Sequence, residues 1–203
     1  MTQVNDAEKG SEMNFKISRE GFLNLIAQND AQKGRNFQSE VRRFVKEIVG
    51  ENHNVEVRSE FPLQGLSAQW KLDIVVVGKL IFTGEFSTYL AIVSCKHVKE
   101  NPKNKATYWT EMSRTYMELN DLQLNSELSK PKFFLVVNRH CMKGEVDKNY
   151  PALFKNIGVE MINFNDHEER KTFAKHLQQL LSEANPSEQI KKFEKAVKET
   201  HKT

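Results

Sequence analysis

The sequence predicts a mixed α/β fold in which a β-sheet of about five strands is flanked by helices. Three observations carry this. An apolar stripe at helical spacing runs from Phe37 to Val49, and short β-branched segments follow between Val55 and Cys95. Helical stripes then alternate with the compact apolar runs KFFLVV and GVEMINF. With 203 residues and 38% apolar side chains, the chain is long enough to bury one hydrophobic core.

Taken in order, residues 1–12 are polar and aperiodic and are expected to be a flexible N-terminus. Ser18 is placed to cap a helix leading into Phe22, Leu23, Leu25 and Ile26. Phe37, Val41, Phe44, Val45, Ile48 and Val49 share one helical face, and Gly50 and Asn52 end it. Residues 55–57, 72–77, 80–82 and 89–95 are short and rich in β-branched side chains. With Gly78-Lys79 as a turn, they predict a strand meander. After a polar loop over 99–105, a helix is expected from about 106 to 124, with Trp109, Met112, Tyr116 and Leu119 on one face. Strands at 132–137 and 158–164 follow, then a helix carrying Phe173, Leu177, Leu180 and Leu181. The main domain thus spans 13–184. Asn185-Pro-Ser187 sets off a C-terminal helix over 188–200, whose thin stripe of Ile190, Phe193 and Val197 suits packing on its own domain, docking or dimerisation.

Thirty Lys and Arg against 27 Asp and Glu give a net charge of +3, too mild to announce a nucleic-acid partner by itself. The distribution says more, since residues 96–105 (KHVKENPKNK) hold four lysines and one glutamate. No apolar run approaches the roughly 20 residues needed to cross a bilayer, and the polar start has no signal-peptide core. Both predict a cytoplasmic protein without a membrane partner. Cys95 and Cys141 have no metal-ligand spacing, which fits free thiols in a reducing compartment.

Asp73 stands in the apolar run LDIVVV, where an uncompensated carboxylate is costly to bury. Twenty-three positions on (96 − 73), the run YLAIVSCKH closes with Ser94 and Lys96 at i and i+2, on one face of a strand. In a meander, Asp73 and Lys96 meet at one sheet edge. Such a pair suits hydrolysis of a phosphodiester: carboxylates hold a hard cation such as Mg2+, and the lysine holds the attacking water. His97 faces away from Lys96 by strand alternation. Lys99, Lys103 and Lys105 are candidates for phosphate contacts, and Arg139 and His140, after KFFLVVN, for a DNA groove.

The segment 34–164 resembles the PD-(D/E)XK nuclease core, with GRNFQSEVRRFV as first helix, Asp73 as metal aspartate and Ser94-Cys95-Lys96 as third motif. It departs from that pattern in having Leu72 before the aspartate and Ser94 in place of an acid. On the second point it is similar to the branch of restriction enzymes that includes NgoMIV and EcoRII, where the second carboxylate lies on the next helix. Glu111, fifteen positions beyond Lys96 (111 − 96), matches that place. The resemblance implies a restriction-endonuclease-like sheet and a Mg2+-dependent DNA endonuclease, most simply a type II restriction enzyme or its catalytic subunit. It implies an ion held by Asp73 and Glu111, a water oriented by Lys96, Ser94 as a polar contact, and Glu40 supporting the metal. Cutting both strands of double-stranded DNA needs two such centres, hence a homodimer or a heteromeric nuclease partner. A repair or structure-selective nuclease of the same fold, or an inactive descendant that binds DNA or protein, are the alternatives.

Overall fold

The computed structural model describes residues 19–80, 84–98, 105–128, 130–139, 150–185 and 189–191, excepting the side chains of 19–28, 105–109 and 183. The elements are α1 (Arg19–Val49), β1 (Val55–Gln64), β2 (Gln69–Lys79), β3 (Phe86–Lys96), α2 (Lys105–Leu124), β4 (Lys132–Val137), α3 (Tyr150–Asn156), β5 (Val159–Asn163) and α4 (His167–Glu183). They form a five-stranded mixed sheet in the order β1-β2-β3-β4-β5. The first three strands are an antiparallel meander, and β4 and β5 then add in parallel. Parallel neighbours need a crossover, which α2 and α3 supply. The α/β class and the five-stranded sheet flanked by helices are those the sequence predicts.

Helices cover both faces. Phe37, Val41 and Val45 of α1, with Phe173 and Leu177 of α4, pack on Ile74, Val76, Ala91, Val93, Phe134 and Val136. On the other face, Met112, Leu119 and Leu122 of α2, with Tyr150 and Phe154 of α3, pack on Val75, Val77, Ile92, Leu135 and Val137. The strict alternation of Ile74 to Val77 between the two cores is the strand period acting on a central strand buried on both sides.

Local chemistry sets most boundaries. Gly50 takes φ +58° and donates its N–H to the Lys46 carbonyl at 2.9 Å, ending α1 as its sequence predicts. Asp166 caps α4 by accepting the Glu168 and Glu169 N–H groups, each at 3.0 Å. Two expectations shift. Gly78 and Lys79 lie inside β2, and the chain turns later, where Leu80 N–H reaches the Glu85 carbonyl at 2.9 Å and Gly84 N–H the Leu80 carbonyl at 2.8 Å. Leu80 therefore opens a turn rather than a strand; 81–83 lie outside the described residues. Strand β1 also runs on to Gln64, well past Val57, because its polar residues occupy the less covered part of the sheet.

One irregularity shapes the hairpin of β1 and β2. Ser59 pairs with Ile74 and Phe61 with Leu72, but Glu60 and Asp73, facing each other between those pairs, are not joined in the ladder. Glu60 has φ +50°, left-handed backbone that costs a non-glycine residue about 1–2 kcal/mol. Alternation turns over here. Val55 and Val57 pack toward α1, whereas Phe61 and Leu63 pack toward α2; likewise Ile74 and Val76 face α1, whereas Trp70 and Leu72 face α2. The outer half of the hairpin thereby curls over α2. Asp121 of α2 holds it there, accepting from Ser67 N–H (2.9 Å), Ser67 Oγ (2.7 Å), Ala68 N–H (3.3 Å) and Trp70 Nε1 (2.7 Å). A Cβ on Gly65 would overlap the Asp121 carboxylate, so the turn needs glycine at this close approach.

No helix among the described residues is long and apolar enough to cross a membrane. The N-terminal 1–12, the Ser18 cap, Lys99, Lys103, His140, Cys141, the side chains of Lys105 and Trp109, and the C-terminal helix beyond 191 all lie outside the described residues.

Candidate active site at the carboxyl end of the parallel strands

Asp73 sits at the hairpin kink, half-buried, where both helical layers can reach it. The pairing of Ile74 with Val93 brings Ser94 beside Asp73 one step further along, and Lys96 follows on the same face of β3. Two donors and a polar neighbour surround the carboxylate. Cys95 N–H reaches Oδ2 at 2.6 Å, Gln38 Nε2 of α1 reaches Oδ1 at 3.1 Å, and the neighbouring Ser94 side chain favours the charged form. Ser94 itself is 2% exposed, too enclosed to act on a large substrate except through its neighbour.

Electrostatics tie a second acid to this point. Burial raises the Glu118 carboxyl above the ordinary glutamate range; Lys96 lowers it, the Asp73 charge raises it and Arg114 lowers it. Asp73 is raised too, first by burial, against the lowering pull of Cys95 N–H, Lys96 and Ser94, with Glu60 adding repulsion. Asp73, Lys96 and Glu118 therefore form one charged group, a strand acid, a strand lysine and a helix acid, none of them fully exposed. Glu60, across from Asp73, is turned to solvent and held by Lys71 at 2.8 Å.

Lys96 ends β3 level with Val137 of β4 and, through it, Asn163 of β5. The group thus lies at the carboxyl ends of the parallel strands, where open α/β sheets bind ligands. The exit of β3 is fixed by the buried Asn138, whose amide accepts from Val98 N–H at 2.5 Å and donates to the Val98 carbonyl at 3.1 Å, prolonging the β3–β4 pairing with a side chain. Arg139 follows, half-buried, and its charge reaches His97. His97 turns to the α1 layer as strand alternation predicts, its ring 6.2 Å from that of Phe37. Burial, then Arg139 and Lys33, lower its pKa against the opposing pull of Asp30, so its neutral form is favoured beside the basic rim. A concavity of about 520 Å3 lined by Lys132, Lys155 and Met161 lies elsewhere: Lys132 is level with Ala91, about 17 Å down the strand from Lys96.

Of the sequence-predicted site residues, the structure brings Asp73, Ser94 and Lys96 together and puts Arg139 at the same sheet end. It does not bring Glu111 and Glu40 to them in the expected way. Glu111 is exposed, seven residues before Glu118, which is two turns and about 10 Å along α2. The helix acid whose charge meets Asp73 and Lys96 is Glu118. Seven residues rotate a helix by only about 20°, so the two acids share a stripe, and the docking of α2 decides which one reaches the sheet. Glu40 is exposed on the flank of α1 away from Gln38, since two residues turn a helix by about 200°. Gln38, adjacent to the core residue Phe37, makes the contact instead.

No protein-family profile matches the chain, and neither does any curated protein. Among solved structures the chain is similar to AF1548, titled a protein of unknown function, at 17% identity and a TM-score of 0.37. That match covers 63% of this chain and 59% of the other, so the chain spans less than two thirds of its length.

Proposed function

We propose that this chain is a Mg2+-dependent DNA endonuclease of the PD-(D/E)XK type, with Asp73, Lys96 and Glu118 as its working groups, and that it acts as a restriction enzyme. The observation that carries the reading is the convergence of Asp73, the Ser94 hydroxyl, Lys96 and Glu118 at the carboxyl end of β3.

The donor set suits a hard divalent cation. Both half-buried carboxylates are raised first by burial, and the Asp73 charge raises Glu118 further, a conflict that a cation at this place would relieve. Among the described residues no three His, Cys, Asp or Glu stand close enough to hold an ion together. Asp73 and Glu118 would hold it as a pair, leaving most positions to water and phosphate oxygens, as Mg2+ prefers. Bound there, the ion would polarise the phosphoryl oxygen and stabilise the departing oxygen. Lys96 orients the attacking water against the phosphorus through its ammonium group; the water oxygen bonds to phosphorus as the P–O3′ bond breaks, the water's proton passes to bulk water, and the departing O3′ takes a proton from solvent, leaving a 5′ phosphate and a 3′ hydroxyl. Ser94 favours the ionised form of the Asp73 carboxylate against the pull of its burial. The basic rim of Arg139, Arg114 and Lys33 supplies sequence-independent attraction for the phosphate backbone.

The test is incubation of duplex DNA with Mg2+, comparing the wild type with Asp73→Ala and Lys96→Ala. Discrete fragments, abolished by both substitutions, are expected. Diffuse degradation would replace restriction with a general or repair nuclease, and absence of cleavage on any duplex would overturn the enzymatic reading.

A further inference from the structure

We propose that Gln38 is a positioning residue that orients the Asp73 carboxylate toward a cation. The inference rests on the nuclease reading above and adds to it a residue from the opposite layer.

An ionised carboxylate offers about four lone-pair sites. Cys95 N–H occupies one on Oδ2 and Gln38 Nε2 one on Oδ1, and the adjoining Ser94 side chain competes for a third. With a donor already on each oxygen, Asp73 is restricted to coordination through one oxygen at a time, as suits an octahedral ion that keeps its waters. These neighbours differ in what they fix. Cys95 N–H and the Ser94 hydroxyl belong to the neighbouring strand and hold the carboxylate to the sheet. Gln38 comes from α1 and fixes the rotation of the carboxylate relative to that helix.

Its anchor is firm. Phe37, Val41 and Val45 are between 0% and 6% exposed, and the Phe37 ring meets Phe164 edge-on at 6.0 Å as well as His97. A long, otherwise adaptable amide is therefore presented from a rigid helix face, the kind of support that ligating carboxylates need. Glutamine is suited to this place because it donates without adding charge. A glutamate there could not donate to Asp73 and would repel it.

The experiment measures Mn2+ and Mg2+ binding to the full chain by calorimetry without nucleic acid, together with the Mg2+ dependence of cleavage. Gln38→Met keeps the length of the side chain and removes the donor; Asp73→Ala is the reference for loss of the ligand. Gln38→Met is expected to weaken Mn2+ binding by about 10–100-fold. It is also expected to raise the Mg2+ concentration for half-maximal cleavage while leaving kcat at saturating Mg2+ within a few-fold of wild type. Unchanged Mn2+ affinity in Gln38→Met, with affinity lost in Asp73→Ala, overturns the role of Gln38 and leaves the nuclease reading standing. A fall in kcat with metal affinity unchanged overturns it too. Retention of full Mn2+ affinity in Asp73→Ala would instead remove the metal reading itself. Thermal unfolding of each variant confirms that a loss of binding is not a loss of fold.

Discussion

Asp73 and Asp121 are both aspartates drawn in from the surface, both accept several hydrogen bonds, and both lie where the β1–β2 hairpin meets its neighbours, yet their carboxyls are displaced in opposite directions. Asp121 is lowered, chiefly by Trp70 Nε1 and the Ser67 hydroxyl, with the Ser67 and Ala68 N–H groups adding to it. Asp73 is raised, because burial outweighs its donors and Glu60 adds to the repulsion. The difference separates a satisfied structural acid from a strained one. Asp121 has its donors arranged around it and closes a turn. Asp73 is short of positive charge in a group that also contains Glu118, and such mismatch is concentrated at functional sites.

The largest expected effect breaks the comparison directly. Asp73→Asn should reduce Mg2+-dependent cleavage by at least about 100-fold, a loss typical for a group that stabilises developing charge, without lowering the unfolding temperature at neutral pH. Asp121→Asn should lower the unfolding temperature, since an amide cannot accept from all four donors, while the folded fraction keeps its cleavage. The reverse pattern in a paired melting and cleavage experiment would dissolve the distinction.

Next in size is the choice between the two acids of α2. Glu118→Gln should weaken metal binding by about tenfold or more, whereas Glu111→Gln should leave it unchanged; calorimetry with Mn2+ decides. If Glu111 proves to be the sensitive position, the helix acid assigned from the electrostatics of Asp73 and Lys96 is wrong.

Gly65→Ala probes the structural side. The added methyl group meets the Asp121 carboxylate, and overpacking of this sort costs about 1–3 kcal/mol. Chemical denaturation should show that loss, with metal affinity of the folded protein preserved.

The smallest effect is in pH. Asp121, lowered in the folded state, contributes stability above the unfolded carboxyl pKa of about 4, and that contribution is lost as pH falls through the folded value. Asp73 and Glu118, raised in the folded state, act with the opposite sign: their contribution is full below the unfolded pKa and is lost as pH rises through the folded values. Unfolding of Asp73→Asn and Glu118→Gln across pH 4 to 7 should show less loss of stability toward neutral pH than the wild type, measured without divalent ions. An unchanged slope would mean that the two acids are not displaced as described.

Much of the fold was legible in the residues because it rests on local periodicity. The strand KFFLVV, the face of α2 and the glycine that ends α1 each follow from spacings within one element. The pairing of Asp73 with Ser94 and Lys96 was legible as well, since polar groups closing two adjacent apolar strands have few other places to go. The Gly78-Lys79 turn was misleading because glycine in a strand also marks close approach, and here Gly78 lies under the Leu90 side chain.

What the sequence determined by itself is the class of fold, the strand acid and the strand lysine, since these depend on patterns with periods of two and 3.6 residues. Tertiary structure alone decided the rest. Whether Glu111 or Glu118 meets the sheet depends on where α2 slides along its own axis, and both acids satisfy the same helical stripe. Whether Gln38 or Glu40 reaches Asp73 depends on the rotation of α1 set by its core. The left-handed Glu60 that turns the hairpin over at Asp73 has no local signature, because its backbone is held by contacts on both sides of the kink.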